Sequence, residues 1–199
     1  MIRHFRPRPG WVPAACLLAA LCVPMVAMAH PGHGATPGMA DGFLHPFTGL
    51  DHALALLGAG LWAAQAGGRA RWAIPGVFLL MLIAGATGVR SVGGFPGPEP
   101  LVLASVFVLG GAVLVARRAP LGVALMLTAI FAAAHGAAHG TSVAGGEVAV
   151  GHAVGLLLAS ACLLGVGVAS GSWAIRIQRE PWLRWAGAGI VAGGLFCLA

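Results

Sequence analysis

Imidazole and carboxylate side chains stand together in residues 45–52, which read His-Pro-Phe-Thr-Gly-Leu-Asp-His. Pro46 is favoured in the first turn of a helix, which would place His45 at the helix cap. On one continuous helix His45 and His52 would share a face, because their spacing is close to two turns. Asp51 would then be either a metal ligand or the acceptor that holds a neighbouring imidazole in one tautomer. Without a metal, these residues would form a helix cap and a structural Asp–His hydrogen bond.

A second pair of histidines, His135 and His139, lies in an otherwise apolar stretch. Their i, i+4 spacing puts both rings on one face of a helix, within reach of one metal ion. The alternative is that each ring hydrogen-bonds to a neighbouring helix. Glu147 and His152 come at the start of the next apolar stretch. There they would either line an entrance to a metal path or serve as solvated or capping residues.

The ligand types narrow the choice of metal. Neutral imidazole and carboxylate, without a thiolate motif, favour Ni(II), Co(II), Zn(II) or Cu(II), whereas Mg²⁺ and Ca²⁺ would need more oxygen ligands. All 11 basic residues are Arg, so the chain has neither a P-loop lysine nor a Schiff-base lysine. It also lacks the further histidine boxes of diiron hydroxylases. We therefore expect no enzymatic activity and no resident cofactor, the metal ion being bound only transiently.

The elements that position these residues are predicted to be membrane helices, in an all-α polytopic bundle of six transmembrane helices. The chain has 199 residues, 59% of them hydrophobic and only 8% charged, which is too few charges for a water-facing surface. Lipid leaves free backbone groups without partners, so apolar stretches of this length must be helical. The six spans are expected near residues 45–64, 72–90, 100–116, 120–139, 148–170 and 181–198. Three pairs of glycines predict close helix packing within them: Gly136/Gly140, Gly167/Gly171 and Gly189/Gly193.

Residues 1–29 have the features of a cleavable signal peptide, and residues 30–199 would then form the transmembrane domain. A basic beginning and an apolar core precede Ala27-Met28-Ala29, which matches the small-x-small cleavage pattern. Cleavage would leave His30 as the first residue, and its amine and imidazole, together with His33, would be able to chelate a metal. The alternatives are an uncleaved signal anchor and a tail without a metal role.

The distribution of arginines predicts the orientation in the membrane. Arg90 follows the second span, whereas the loops after the first, third and fifth spans hold Arg69, Arg71, Arg117, Arg118, Arg176, Arg179 and Arg184. The positive-inside rule places those loops in the cytoplasm of a bacterial inner membrane and the mature N-terminus in the periplasm. Five tryptophans are expected in an aromatic belt at the cytosolic span ends: Trp62, Trp72, Trp173, Trp182 and Trp185. The expected partners are a divalent metal ion and the lipid bilayer, and not nucleic acid, because the arginines are scattered between apolar runs.

The two histidine motifs resemble those of the HupE/UreJ family, as do the His-Pro-Gly-His sequence at residues 30–33 and the Ala- and Leu-rich helix with Trp62. The resemblance covers nearly the whole mature chain. It implies a small bacterial inner-membrane permease for nickel or cobalt, associated with hydrogenase or urease maturation. By the same resemblance, the metal-handling residues would be His45, Asp51, His52, His135 and His139.

One departure from the family pattern is Thr141-Ser142, which stands where relatives often have an acidic residue. Glu147 is the candidate for its displaced counterpart. Partners beyond the metal and the bilayer would be further copies of the chain or, by the resemblance, maturation proteins of hydrogenase or urease. The alternative to a permease is a non-transporting membrane accessory protein that binds metal outside and hands it to a partner.

Overall fold

Apolar stretches fold into helices whose bounds follow the predicted spans closely. The computed structural model describes residues 38–91, 97–116, 119–140 and 147–198, with the side chains of all these except 89–91 and 147–149. Within these ranges the chain forms seven helices and no strand: α1 Met39–Thr48, α2 Leu50–Ala66, α3 Ala70–Ser91, α4 Glu99–Val115, α5 Leu121–Gly140, α6 Glu147–Arg176 and α7 Glu180–Phe196. The predicted signal peptide, His30 and His33 lie outside the described residues.

The first predicted span, residues 45–64, is divided by the structure into α1 and α2. Helix α1 runs past Pro46 to Thr48, and Gly49 then takes an extended conformation with φ −96° and ψ 104°. The prediction of His45 as a cap in front of a continuous helix is therefore wrong, because His45 lies in the last turn of α1. A glycine favours such a break, since it loses the most conformational freedom in a helix. His45 and His52 consequently lie on separate helices.

Three helical segments are long and apolar enough to cross a membrane: Ala70–Gly88, Leu121–Gly140 and Val150–Arg176. Glu99–Val115 is apolar but shorter, and α2 and α7 are each 17 residues long. At about 1.5 Å per residue, such helices rise roughly 25 Å, a little less than the hydrocarbon core of a bilayer. The described residues thus form the helical bundle of a membrane protein, while the count of six spans stays a prediction.

Helix α2 lies at the centre of the bundle. It packs against α1, α3, α4, α6 and α7, and from Leu54 to Ala64 nearly all of its residues are buried. The other extensive helix contacts are between α3 and α5, between α1 and α6, and between α4 and α7. The helix that carries Asp51 and His52 in its first turn is therefore fixed by neighbours on several sides.

Helices α3 and α5 touch through their backbones at the predicted pair Gly136/Gly140. A Cβ atom at Gly136 would overlap the carbonyl oxygen of Leu82, and a Cβ at Gly140 would overlap that of Ala86. Glycine is required here because any side chain would push the two helices apart. The prediction of close packing at this pair is confirmed, and it fixes the helix that carries His135 and His139 against α3.

The other two predicted glycine pairs differ in outcome. Gly167 and Gly171 face α2 at distances that leave no room for a Cβ, as predicted. Gly189 has open space around it, although Gly193 faces the side chain of Leu54. The third pair is therefore wrong as a packing motif, because its two glycines do not face the same helix.

The two ends of the bundle carry different polar residues. The connections after α2, α4 and α6 lie at one end of the bundle. Residues of the first two line one cavity, and Arg184, shortly after the third, donates to the carbonyl of Leu114 at the end of α4. We call this end the arginine end, because it holds Arg69, Arg71, Arg176, Arg179 and Arg184. There the Nε2 of Gln65 donates to the carbonyl of Val113 at 3.0 Å. The opposite end, the histidine end, holds the starts of α2 and α6 and the last turns of α1 and α5.

Trp62 belongs to the core, with 3% of its surface exposed, so its prediction as a belt residue is wrong. Its large ring packs between helices and contributes to the core, where it is shielded from the membrane interface. Trp72, Trp173 and Trp185 are exposed, as a belt requires. Trp62 also lines an open cavity of about 200 Å³ at the arginine end, formed by residues from α2, α3, the α4–α5 connection and α5.

Replacing Gly136 by Leu tests the backbone contact between α3 and α5. We expect the free energy of unfolding to fall by about 1–3 kcal/mol, because the new side chain has to displace the α3 backbone. Gly122→Leu is the matched control, since Gly122 lies on the same helix with nothing within 4 Å of its Cβ position. SDS-induced unfolding in detergent micelles measures both variants. Equal stability of the two would contradict the contact.

Candidate metal centre

Five imidazole rings from four helices converge at the histidine end. His45 comes from α1, His52 from α2, His135 and His139 from α5, and His152 from α6. The ring centres are 4.7 Å apart for His45 and His139, 4.7 Å for His52 and His139, and 4.8 Å for His52 and His135. His45 also lies 5.9 Å from His152 and 6.4 Å from His52. We call these five residues the histidine cluster.

The pair Asp51 and His52 fixes the tautomer of one ring. The Nδ1 of His52 lies 2.9 Å from Oδ1 of Asp51, and the same oxygen accepts the backbone N–H of His52 at 2.8 Å. A carboxylate accepts hydrogen bonds, so Nδ1 carries the proton and Nε2 keeps its lone pair. That Nε2 is buried without a hydrogen-bond partner among the described residues. A histidine held in this way by a carboxylate is the usual arrangement of a metal ligand.

His135 has the same arrangement with a different acceptor. Its Nδ1 lies 2.9 Å from the carbonyl oxygen of Phe131, one turn earlier on α5. A carbonyl only accepts, so the free lone pair of His135 is also on Nε2, which has no partner in the described part of the chain. The ring is only 1% exposed. The sequence analysis allowed each ring to hydrogen-bond to a neighbouring helix instead of binding metal. For Nδ1 of His135 this is wrong, because that nitrogen bonds to a carbonyl of its own helix.

The five rings of the histidine cluster differ in burial. His45 is exposed, His52 is half-buried, and His139 and His152 are buried. His135 is the most buried of the five. Beyond it stands the fully buried ring of Phe78 from α3, with its centre 5.5 Å from that of His135. The cluster thus extends from the surface of the bundle, at His45, to the apolar core, where His135 contacts Phe78.

Close backbone contacts hold the outer rings in position. A Cβ at Gly42 of α1 would overlap the carbonyl oxygen of His152, and a Cβ at Gly155 of α6 would overlap that of Met39. These two glycines bring α1 against α6 and therefore His45 towards His152. At the break before α2, a Cβ on Gly49 would lie 3.2 Å from both Oδ1 of Asp51 and Nδ1 of His52. Gly49 thus leaves room for the Asp–His pair.

The rings meet in pairs and not as a closed cage. Among the described residues, no group of three His, Cys, Asp or Glu side chains is already arranged to hold one ion. An imidazole nitrogen sits roughly 2.0–2.1 Å from a bound zinc ion, so two rings that share such an ion at a near-right angle have centres about 4.5–5 Å apart. The pairs at 4.7 and 4.8 Å fit that separation. A third ligand would join an ion only when a ring turns.

The structure brings some of the predicted metal ligands together, while the side chains of the others lie outside the described residues. It brings six of them together at the histidine end: His45, Asp51, His52, His135, His139 and His152. Glu147 begins α6, but its side chain lies outside the described part of the chain, as do His30 and His33. Sequence reasoning missed Phe78, because one more aromatic residue in an apolar span carries no signal. It also missed the contacts at Gly42 and Gly155, which depend on how two helices cross.

The two tautomers can be measured directly. In protein labelled with ¹⁵N-histidine, we expect the ring nitrogens of His52 and His135 to show protonated Nδ1 and free Nε2. Asp51→Asn should change the tautomer of His52 to a mixture and leave His135 unchanged, because a neutral amide both donates and accepts. Asp41→Asn is the control, since Asp41 lies outside the histidine cluster and accepts a hydrogen bond from the backbone N–H of Gly38. A protonated Nε2 on His52 in the unmodified protein would refute this assignment.

Comparison with known proteins agrees with the motifs at this site. The model of the family described as HupE / UreJ protein matches residues 18–197. The protein named HupE of Rhizobium leguminosarum bv. viciae is 38% identical over 157 residues, which cover 77% of this chain and 81% of that protein. No solved structure matches the chain. Because the family match spans nearly all of the chain, including every residue of the histidine cluster, the protein is a member of the HupE/UreJ family.

Proposed function

We propose that the protein is a secondary transporter for a divalent transition-metal ion, nickel or cobalt, which supports the metallation of hydrogenase or urease. The observation that carries this proposal is the histidine cluster, in which rings from four helices approach to 4.7–5.9 Å between neighbouring centres. Neutral imidazoles beside one carboxylate suit borderline ions such as Ni(II) and Co(II). Membership of the HupE/UreJ family supports the same class of metal.

The range of burial among the rings favours a path over a fixed site. A transport path needs sites that bind well enough to admit an ion and weakly enough to release it. Rings that approach in pairs, from exposed His45 to His135 at 1% exposure, provide ligands in small sets from the surface of the bundle to its interior. A protein that only displays metal to a partner would have no use for ligands as deep as His135. The metal is therefore cargo and not a resident cofactor, and no enzymatic step is proposed.

The proposed location is the bacterial inner membrane, with the histidine end towards the periplasm. Five arginines lie at the opposite end, and the positive-inside rule places such residues in the cytoplasm. In this orientation the exposed ring of His45 meets ions that arrive from outside. The imported ion would then reach maturation proteins of hydrogenase or urease on the cytoplasmic side.

Flux through the purified protein tests the proposal. Proteoliposomes that contain the protein alone should take up ⁶³Ni²⁺ or ⁵⁷Co²⁺, and His52→Gln should lower the initial rate at least about tenfold, because a ligand with a fixed tautomer is lost. Gln178→Ala serves as the control, since Gln178 lies in the connection after α6 at the arginine end. Liposomes without protein give the background.

The result separates a permease from an accessory protein. Metal binding by the purified protein without any flux would show that it is a non-transporting accessory, which hands metal to a partner. If cells accumulate Ni, Co, Zn and Cu equally with and without the His52→Gln change, then His52 acts neither in transport nor in metal capture by an accessory protein. Preference for zinc or copper in the flux assay would keep the transporter and change its cargo.

A further inference from the structure

The distances within the histidine cluster place His139 in the middle of a sequence of neighbouring rings. On its outer side His139 is 4.7 Å from His45, which in turn lies 5.9 Å from His152. On its inner side it is 4.7 Å from His52, which lies 4.8 Å from His135. The order is therefore His152, His45, His139, His52 and His135. No other member of the cluster is this close to both a surface ring and an inner ring.

The two groups on either side of His139 have different chemistry. On the inner side, His52 and His135 each use Nδ1 in a hydrogen bond and present a free, buried Nε2. On the outer side, His45 is exposed, and the Nδ1 of His152 is buried without a partner among the described residues. Each group thus includes at least one buried ring nitrogen without a hydrogen-bond partner among the described residues. Each needs one more ligand to complete a set of three imidazoles.

We infer that His139 is a shared ligand of two overlapping divalent-metal sites, an outer site with His45 and His152 and an inner site with His52 and His135. An ion in the outer site keeps its bond to His139, loses its bonds to the two outer nitrogens and gains bonds to the inner Nε2 atoms. The exchange breaks two metal–nitrogen bonds and forms two others, each to a nitrogen lone pair, so no proton or electron is transferred. Because one nitrogen of His139 serves both sites, only one ion is held at a time.

This inference deepens the proposed function, but it is a statement about binding and does not require flux. It accounts for the absence of a preformed three-ligand site among the described residues. A ring that completes either of two sites cannot be fixed in the geometry of one of them. The inference also assigns a role to His152, whose position next to α1 is set by the contacts at Gly42 and Gly155.

Titration of the purified full-length protein with Co²⁺ alone tests the shared ligand. All proteins carry His30→Gln and His33→Gln, so that N-terminal chelation does not contribute. The parent protein should bind one ion per chain. The double variant His45→Gln/His152→Gln should still bind one ion at the inner site, and His52→Gln/His135→Gln should still bind one at the outer site. His139→Gln should lower the affinity on the order of tenfold or more below either double variant, because neither site is then complete.

Three outcomes would overturn the inference. Two ions per chain in the parent protein would mean independent sites. Loss of binding in one of the double variants to the level of His139→Gln would mean one joint site. Parent-like affinity in His139→Gln would mean that His139 is not a ligand. Absence of flux in proteoliposomes would defeat the proposed transport and leave the binding pattern as the separate test.

If His139→Gln does not fold, a cysteine at position 139 tests whether this residue is a ligand of both sites. His139→Cys keeps a metal ligand, and a Co²⁺-bound thiolate gives a charge-transfer absorption band in the near ultraviolet. The band should appear when His139→Cys is combined with either double variant. Its appearance with only one of them, or with neither, would overturn the shared role. Cys162 and Cys197 are exposed, so the double variants without His139→Cys provide the thiol background.

Discussion

Backbone contact between helices is the constraint on which the arrangement of the histidines depends. At Gly136 and Gly140 helix α5 lies directly on α3, and at Gly42 and Gly155 helix α1 lies directly on α6. A side chain at any of these positions would separate a pair of helices and carry a histidine away from its neighbours. The sequence His-Gly-Ala-Ala-His-Gly of residues 135–140 combines both requirements, because its histidines and its glycines occupy different faces of one helix.

Hydrogen bonds to only one nitrogen of a ring then give the cluster its chemistry. Asp51 and the carbonyl of Phe131 each occupy an Nδ1, and each leaves an Nε2 lone pair inside an apolar bundle. A buried polar atom without a partner is costly, so the proposed ion would be bound favourably by supplying the missing partner. The partial exposure of the Asp51–His52 pair and the pairwise approach of the rings would allow the proposed ion to be released again.

Much of the fold and the identity of the clustered residues could be predicted from the sequence. Five of the six spans were close to observed helices, because long apolar runs leave the backbone no alternative to a helix. The break at Gly49 could not be predicted from the sequence, since other glycines such as Gly58 and Gly60 continue the same helix without a break. The burial of Trp62 and the central place of His139 were also beyond the sequence. Both depend on which helices are neighbours, and hydropathy does not indicate which helices pack together.

The cavity beside Trp62 has a consequence for motion in the bundle. Helices α2 and α5 contribute His52, His135 and His139 at one end and line the cavity at the other, while α3 lies against both. A helix behaves as a stiff rod on this length scale, so a tilt that separates α2 from α5 around an ion must change their spacing beside Trp62. The cavity provides space for the ends of α2 and α5 at the arginine end to move towards each other. Under the proposed function, such a tilt would couple opening at the histidine end to narrowing of the cavity at the arginine end.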